Sequence, residues 1–170
     1  QKETNIKNEI EFVKKELQKL KINPDFKENL DFSENLKNLN KQLSKARIEI
    51  IKKDESKNIV KDKKIGNILI REQILKDFPP KELRKVIDEG KKDIKSGIVI
   101  SISIFEEKVG LAVGVSNDLT SKYDAVVLAK AASVILGGKG GGGRKDFAQA
   151  GGVDKSKIEE AFKEISKKIS

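Results

Sequence analysis

Hydrophobic residues in the first third of the chain are spaced alternately three and four positions apart. This spacing is typical of the seam of a coiled coil, where an apolar stripe on each helix packs against its partner. The two series are Ile6, Ile10, Val13, Leu17 and Leu20, followed by Phe32, Leu36, Leu39, Leu43, Ala46 and Ile50. Pro24 and its polar neighbours interrupt the pattern between them. Because the connection between the two helices is short, residues 1–56 are predicted to form an antiparallel coiled-coil helical hairpin.

A different pattern begins near residue 57. The apolar run Ile65–Ile70 predicts a short strand. Pro79 and Pro80 are typical of the first turn of a helix. Apolar positions on one face of that helix follow at Leu83, Val86, Ile87, Gly90 and Ile94. The sequence thus predicts a strand followed by a helix.

Strict alternation marks the next segment as two strands. Residues 98–105 alternate four isoleucines with other residues, and the alternation resumes over 109–115 after a polar turn. This period of two predicts a β-hairpin. In the second strand the large residues lie on one face and Gly110, Ala112 and Gly114 on the other, which predicts the close approach of a helix.

Two more helices are predicted in the remaining sequence. The first is an alanine-rich stretch over 125–136, whose small residues we expect to pack on the Gly110 and Ala112 face. Asp154 is a suitable N-cap for the second, whose apolar residues recur at helical spacing. The order of elements predicts an α/β (α+β) fold, with a compact mixed α/β domain over residues 57–170 behind the helical hairpin.

Composition narrows the possible partners and chemistry. Lys and Arg total 36 against 27 Asp and Glu, and this net charge of +9 favours a polyanionic partner. His and Cys are absent, which excludes proton transfer by imidazole, thiol chemistry and the usual zinc ligands. Hydrolysis by paired carboxylates or magnesium stays formally open. No apolar run approaches the roughly 18 residues of a membrane span, so we expect a cytoplasmic protein without a membrane partner.

Residues 137–152 read GGKGGGGRKDFAQAGG, the densest motif of the chain. A glycine backbone reaches positive φ angles and presents amide N–H groups to an anion, and three cationic side chains add charge. Gln149 offers a donor and an acceptor to RNA base edges or 2′-hydroxyls. We predict no catalytic residue and no metal ligand. The predicted RNA-binding residues are Gly137, Gly138, Lys139, Gly140, Gly141, Gly142, Gly143, Arg144, Lys145, Asp146, Gln149, Gly151 and Gly152.

Two other interpretations of the glycine run are weaker. A flexible linker has no use for the interspersed Lys139 and Arg144, nor for the sequence DFAQAGG that follows them. A nucleotide-binding P-loop requires the order GxxxxGK[ST] after a strand. Here no Ser or Thr follows Lys139, and no strand is predicted before the loop.

The motif resembles the carboxy-terminal signature of alanyl-tRNA synthetases, a DHHA1-type domain shared with the DHH phosphoesterases. Its AQAGG ending is similar to the synthetase branch. The strand hairpin over 98–115, the SNDLTSKYDA turn, the alanine-rich helix and the last helix resemble that family in order and spacing. The preceding coiled-coil stretch resembles the hairpin linker of the family.

This resemblance implies a module that binds the outer corner of alanine tRNA and helps the aminoacylation and editing centres share one tRNA. It also implies a homodimer through this module, and no DNA partner. In the family, ATP, Mg²⁺ and Zn²⁺ serve catalytic and editing domains that this sequence does not contain. We therefore expect no cofactor here, and a fragment of a ligase that has no catalytic activity of its own.

Other functions stay open at this point. The chain could be chiefly a structural dimerisation module, in which the apolar stripes and strand edges meet a partner chain. It could also be the substrate-binding domain of a phosphoesterase, although the AQAGG ending favours the synthetase branch. The helical hairpin could act as a spacer or contact RNA directly.

Overall fold

The computed structural model of the protein describes residues 2–169, apart from the side chains of residues 51 and 52. The chain divides into two compact units, Gln1–Lys53 and Asp54–Ser170. The first is helical and the second is mixed α/β, which confirms the predicted fold class.

The helical unit consists of α1 (Lys2–Lys19) and α2 (Phe32–Lys53). The helices pack through the predicted stripes, because their buried core consists of Ile10, Val13, Leu17, Leu39 and Leu43. Ile50 is an exception to the predicted stripe, since it is 44% exposed while Ile48 is buried.

The two helices run in the same direction, which differs from the antiparallel hairpin that the sequence predicts. Near the start of both helices, the Lys7 ammonium lies 4.9 Å from the centre of the Phe32 ring. Further along both helices, Arg47 pairs with Glu16 at 3.5 Å. Residue numbers thus rise together along α1 and α2, as they do in a parallel pair.

The segment connecting the helices explains this direction. The Gln42 side chain accepts a hydrogen bond from the Asp25 N–H at 2.9 Å, and Asn35 accepts one from the Lys27 N–H at 2.8 Å. Residues 20–31 therefore run back alongside α2, from the end of α1 to the start of α2. Twelve residues at about 3.3 Å each can span the length of an 18-residue helix, about 27 Å. The antiparallel prediction assumed that this segment is a short connection between neighbouring helix ends, and that assumption is wrong.

The α/β unit contains one six-stranded mixed sheet of order β1-β2-β3-β4-β6-β5. Its strands are β1 (Asn58–Ile65), β2 (Ile68–Lys76), β3 (Ile98–Phe105), β4 (Lys108–Val115), β5 (Gly141–Gly143) and β6 (Phe147–Gly152). Its helices are α3 (Leu83–Ile94), α4 (Ala125–Ile135) and α5 (Ile158–Ile169). Strands β2 and β3 are parallel, and the other neighbouring pairs are antiparallel.

The predictions for α3, for the β3–β4 hairpin and for the last two helices are confirmed. The single strand predicted at Ile65–Ile70 is wrong, because Ile65 and Ile68 flank the turn of a β1–β2 hairpin and Gly66 there has φ 62°. Strand β1 escaped prediction because it is a largely exposed edge strand of sequence NIVKDKKI, which has no apolar alternation.

Helices cover both faces of the sheet. Helices α4 and α5 pack on the face with the large residues, which include Ile98, Ile100, Ile102, Val109, Leu111 and Val113. Helix α3 occupies the other face. A Cβ added at Gly114 would lie 2.3 Å from Cγ2 of Ile87, and one at Gly110 would lie 2.6 Å from Pro80. The expectation that the alanine-rich helix packs on the Gly110 and Ala112 face is therefore wrong, because α3 fills that face.

Three aspartates accept hydrogen bonds that stabilise turns of the α/β unit. Asp54 and Asp154 each accept hydrogen bonds from the hydroxyl and the backbone N–H of one nearby serine. Asp118 accepts hydrogen bonds from the hydroxyls of two serines. The pairs are Asp54 with Ser56, Asp118 with Ser116, and Asp154 with Ser156. Because these bonds favour the ionised form, they lower the pKa of each carboxyl below its ordinary value.

Candidate nucleic-acid interface

The glycine-rich segment is only partly a loop. Residues 136–140 connect α4 to β5, and β5 then pairs with β6 at one edge of the sheet. The predicted loop is thus a short connection followed by a hairpin, whose outer strand consists of three exposed glycines. An all-glycine strand has no apolar pattern, so sequence periodicity could not find it.

Several glycines are required by the fold itself. Gly137 has φ 77° just after α4, and the Gly138 N–H bonds to the Ser133 carbonyl at 2.8 Å, which ends the helix in a Schellman-like turn. A Cβ at Gly138 would lie 1.9 Å from the Gly151 carbonyl oxygen, and one at Gly152 would lie 2.4 Å from Leu136. Close packing therefore explains part of the glycine content that the sequence analysis assigned to RNA binding.

Strand β5 also has glycines that the sheet requires. An added Cβ would lie 1.9 Å from the Gln149 carbonyl oxygen at Gly141, and 2.4 Å from the Phe147 carbonyl oxygen at Gly143. Gly142 differs, because a Cβ there would meet nothing within 4 Å. Packing therefore explains why Gly141 and Gly143 are glycines, but it does not explain Gly142.

The turn after β5 is held by backbone hydrogen bonds at both sides. Arg144 and Phe147 close it through a bond of 2.7 Å from the Arg144 N–H to the Phe147 carbonyl. The Lys145 carbonyl accepts a bond from the Ala125 N–H at 3.0 Å, and the Asp146 carbonyl accepts one from Val115 at 2.9 Å. The side chains of Arg144 and Lys145 consequently project from a fixed backbone into solvent.

The predicted residues do not form one cluster. Lys139 is exposed in the connection after α4, and a Cβ added at Gly140 would lie 3.8 Å from Cγ of Lys130, on the α4 side of the sheet. Gln149 faces the opposite, α3 side, where its amide donates to the Pro80 carbonyl at 3.4 Å. The turn with Arg144 lies at the end of the hairpin, where Arg144 pairs with Asp146 at 3.8 Å.

Helix α3 contributes two cations that the sequence analysis missed. Lys91 donates from its ammonium to the Asp146 carbonyl at 3.0 Å. The guanidinium of Arg84 lies 5.1 Å from the centre of the Phe147 ring. Because the chain has few arginines, each of them, including Arg84, is a candidate phosphate contact. The position of Arg84 beside residue 147 depends on the order of β4 and β6 in the sheet, which the sequence does not show.

Within residues 2–169, no group of three or more Asp or Glu side chains is arranged to hold a metal ion. No helix of the described residues has the length and apolar character needed to cross a membrane.

Comparison with known proteins identifies the class of domain. Residues 66–170 match the DHHA1 domain family. The match covers more than half of the chain, and the chain therefore belongs to the DHHA1 domain family.

The relatives define the branch of the family. The alanine–tRNA ligase of Parvibaculum lavamentivorans is 48% identical over 98 residues, which are 57% of this chain and 11% of the relative. That of Hyphomonas neptunium is 51% identical over 85 residues, which are 50% of this chain and 10% of the relative. The chain spans about a tenth of the length of these ligases.

A solved structure gives the same answer. The C-Ala domain from Aquifex aeolicus alanyl-tRNA synthetase is 30% identical to this chain with a TM-score of 0.61, and the match covers 65% of this chain and 98% of that domain. The chain is a homologue of the C-Ala domain, which confirms the resemblance to alanyl-tRNA synthetases based on the glycine-rich motif.

Proposed function

We propose that this chain is the tRNA-binding module of an alanyl-tRNA synthetase, and that it holds the corner of alanine tRNA through the β5–β6 hairpin and the adjacent side of α3. We call this surface the hairpin surface; it comprises residues 141–149 with Arg84 and Lys91. In this role the module supports alanine attachment and editing, which other domains of the synthetase perform. The ligase names of the relatives support tRNA as the partner.

One observation carries the proposal. The carbonyls of Lys145 and Asp146 are fixed by Ala125, Val115 and Lys91, so the turn that bears two exposed cations is rigid. Because the backbone of this turn is already ordered, no further backbone entropy is lost when its side chains bind a phosphate. Beside them the exposed glycine edge lets a sugar–phosphate backbone approach the main chain closely. Shape and backbone contacts of this kind suit the corner of a folded RNA better than a base sequence.

The first experiment compares binding of the chain to an alanine tRNA transcript and to an acceptor-arm minihelix without the corner, each at two salt concentrations. We expect the transcript to bind more tightly, with an affinity that falls steeply as salt rises. Equal binding to both RNAs, or binding that salt does not affect, would contradict the proposal.

A matched pair of variants then locates the site. Lys145 lies on the turn, whereas Lys64 is an exposed lysine on β1 at the opposite edge of the sheet. We expect Lys145→Ala to reduce the slope of log affinity against log salt by about one, as for one lost phosphate contact. Lys64→Ala removes the same charge and should leave the slope unchanged. Equal effects of the two variants would indicate binding by net charge alone.

A second candidate function is self-association, and the free edge of β5 favours it. Strand edges present unpaired N–H and C=O groups to a second chain. Helix α4 lies against β5, and its exposed Val127 and Val134 add apolar surface, at 52% and 70% exposure. Light scattering over a concentration series tests this function. Self-association is supported if the chain is a dimer, if Val134→Asp dissociates that dimer and if Val60→Asp on β1 leaves it intact. A monomer at all concentrations would refute self-association.

A further inference from the structure

Arg84 and Phe147 form a cation–π pair on the α3 side of the sheet. Phe147 is only 8% exposed, whereas Arg84 is exposed to solvent. The 5.1 Å between the guanidinium carbon and the ring centre is within the range of a cation–π contact. The guanidinium therefore lies beside an aromatic ring and at the protein surface.

The ring beneath Arg84 is rigidly placed. Phe147 begins β6, where it pairs with Gly114 of β4, and its N–H bonds back to the Arg144 carbonyl at 3.2 Å. Because Gly114 has no side chain, α3 comes close to the sheet through Ile87, one turn after Arg84. Both members of the pair thus belong to elements fixed by the same close packing.

We propose that the Arg84 guanidinium, supported by Phe147, is the stacking site for an unpaired nucleobase of the bound RNA. This inference rests on the proposed function and specifies the RNA feature that the surface recognises. A guanidinium plane stacks on base faces, and bases in loops can be splayed out to reach it, whereas those inside a duplex cannot. The site would tolerate any base, since every base has a π-face. The preferred ligand is therefore a folded RNA with an accessible loop nucleotide beside a phosphate backbone.

A purely electrostatic role of Arg84 gives a different expectation. As a phosphate contact, Arg84 could be replaced by lysine, which keeps the charge and an aliphatic stem but has no planar group. As a stacking site, it could not. The substitution Arg84→Lys therefore separates the two roles, and Arg144→Lys is the matched control, because Arg144 is an exposed arginine of the same surface without an aromatic ring contact in the described residues.

The test measures binding of the alanine tRNA transcript at one salt concentration and then over a salt series. We expect Arg84→Lys to weaken binding about tenfold with an unchanged salt slope, as for the loss of one stacked base. Arg144→Lys should change the affinity less than about twofold, because its charge is retained.

A set of modified transcripts identifies the base without altering the protein. Each loop nucleotide is replaced in turn by an abasic residue. One abasic transcript should bind the unsubstituted chain with about the same reduced affinity as the normal transcript binds Arg84→Lys. The affinity of Arg84→Lys for that abasic transcript should be no lower than its affinity for the normal one. If no abasic position weakens binding, the stacking site is contradicted even where Arg84→Lys proves unstable in a thermal melt.

The outcomes distinguish the two proposals. If the unsubstituted chain does not bind the transcript, both are wrong. If it binds with a steep salt dependence, but Arg84→Lys binds equally well and no abasic position matters, the stacking site is wrong and the proposed function stands.

Discussion

Gly142 is the residue at which folding and RNA binding can be separated within the glycine-rich strand. Gly141, its neighbour, cannot accept a Cβ without meeting the Gln149 carbonyl, whereas Gly142 faces open space and does not have a positive φ. We expect Gly142→Ala to change the free energy of unfolding by less than about 1 kcal/mol. Gly141→Ala should lower it by about 1–3 kcal/mol, the usual range for overpacking. Urea unfolding of both variants tests this contrast.

The same pair of variants tests whether RNA approaches the strand edge. A methyl group at Gly142 would hold a phosphate away from the main chain, so Gly142→Ala should bind the tRNA transcript about fivefold more weakly, as for one lost hydrogen bond. Unchanged affinity would place the RNA on Arg144 and α3 alone.

Asp118 gives the chain a pH-dependent contribution to stability. Hydrogen bonds from Ser116 and then Ser96 lower the pKa of its carboxyl in the folded state. A group with a depressed folded pKa stabilises the fold above its unfolded pKa of about 3.9, and this contribution is lost as the pH falls through the folded value. Asp118→Asn should therefore be less stable than the unsubstituted chain at pH 7, and the difference should shrink below about pH 4. Thermal melts from pH 7 to pH 2 measure it, and a difference independent of pH would contradict it.

At the residue scale, the sequence identified the cations of the hairpin but not those of α3. Arg144 and Lys145 lie inside the conspicuous motif, so composition alone marked them. Arg84 and Lys91 lie more than 50 residues earlier and reach the hairpin because β6 pairs with β4 beneath α3. A contact of this kind depends on strand order, which no local pattern encodes.

At the scale of elements, the turn of the β3–β4 hairpin is a point of backbone strain. It has two central residues, Glu106 and Glu107, with φ values of 49° and 66°. Two-residue hairpins with both φ values positive favour Asn-Gly. The double substitution Glu106→Asn with Glu107→Gly should therefore raise the free energy of unfolding by about 1 kcal/mol, because it relieves a strained left-handed conformation.

The control for this turn is Glu107→Gln. Glu107 pairs with Lys155 at 3.1 Å, but its side chain is 84% exposed, and ion pairs of this kind contribute little. Glu107→Gln should leave the urea midpoint nearly unchanged. If Glu107→Gln instead lowers the free energy of unfolding by about 1 kcal/mol, the ion pair rather than the backbone conformation determines the stability of the turn.

Strongly patterned elements were predicted well, and elements fixed by tertiary context were not. The alternation over 98–115 and the helical spacing from Leu83 were sufficient to locate β3, β4 and α3. Strand β1 and the all-glycine β5 have no pattern, since one is charged and the other has no side chains. The direction of α2 relative to α1 depends on polar contacts of Gln42 and Asn35 with the connecting segment, and these leave the apolar stripes unchanged.

At the scale of the whole molecule, each of the two units contains a buried apolar cluster. The apolar core of the α/β unit lies between Ile65 and Ile169, and that of the helical unit between Ile6 and Leu43. A chain of residues 54–170 should consequently fold by itself, with a cooperative thermal transition. Circular dichroism with amide hydrogen exchange tests this, and slow exchange should persist in β3 and β4, the strands at the centre of the sheet.

Independent folding allows a direct test of whether the helical unit is a spacer or an RNA contact. Residues 54–170 contain the whole hairpin surface and carry 23 basic and 18 acidic residues, a net charge of +5 out of +9. We expect this fragment to bind the tRNA transcript within about threefold of the full chain and with a similar salt slope, because binding follows the phosphate contacts made rather than total charge. In the fragment, Lys145→Ala should reduce the slope as it does in the full chain. A much weaker fragment with a shallower slope would instead show that α1 and α2 supply phosphate contacts, and the spacer interpretation of the helical unit would then be wrong.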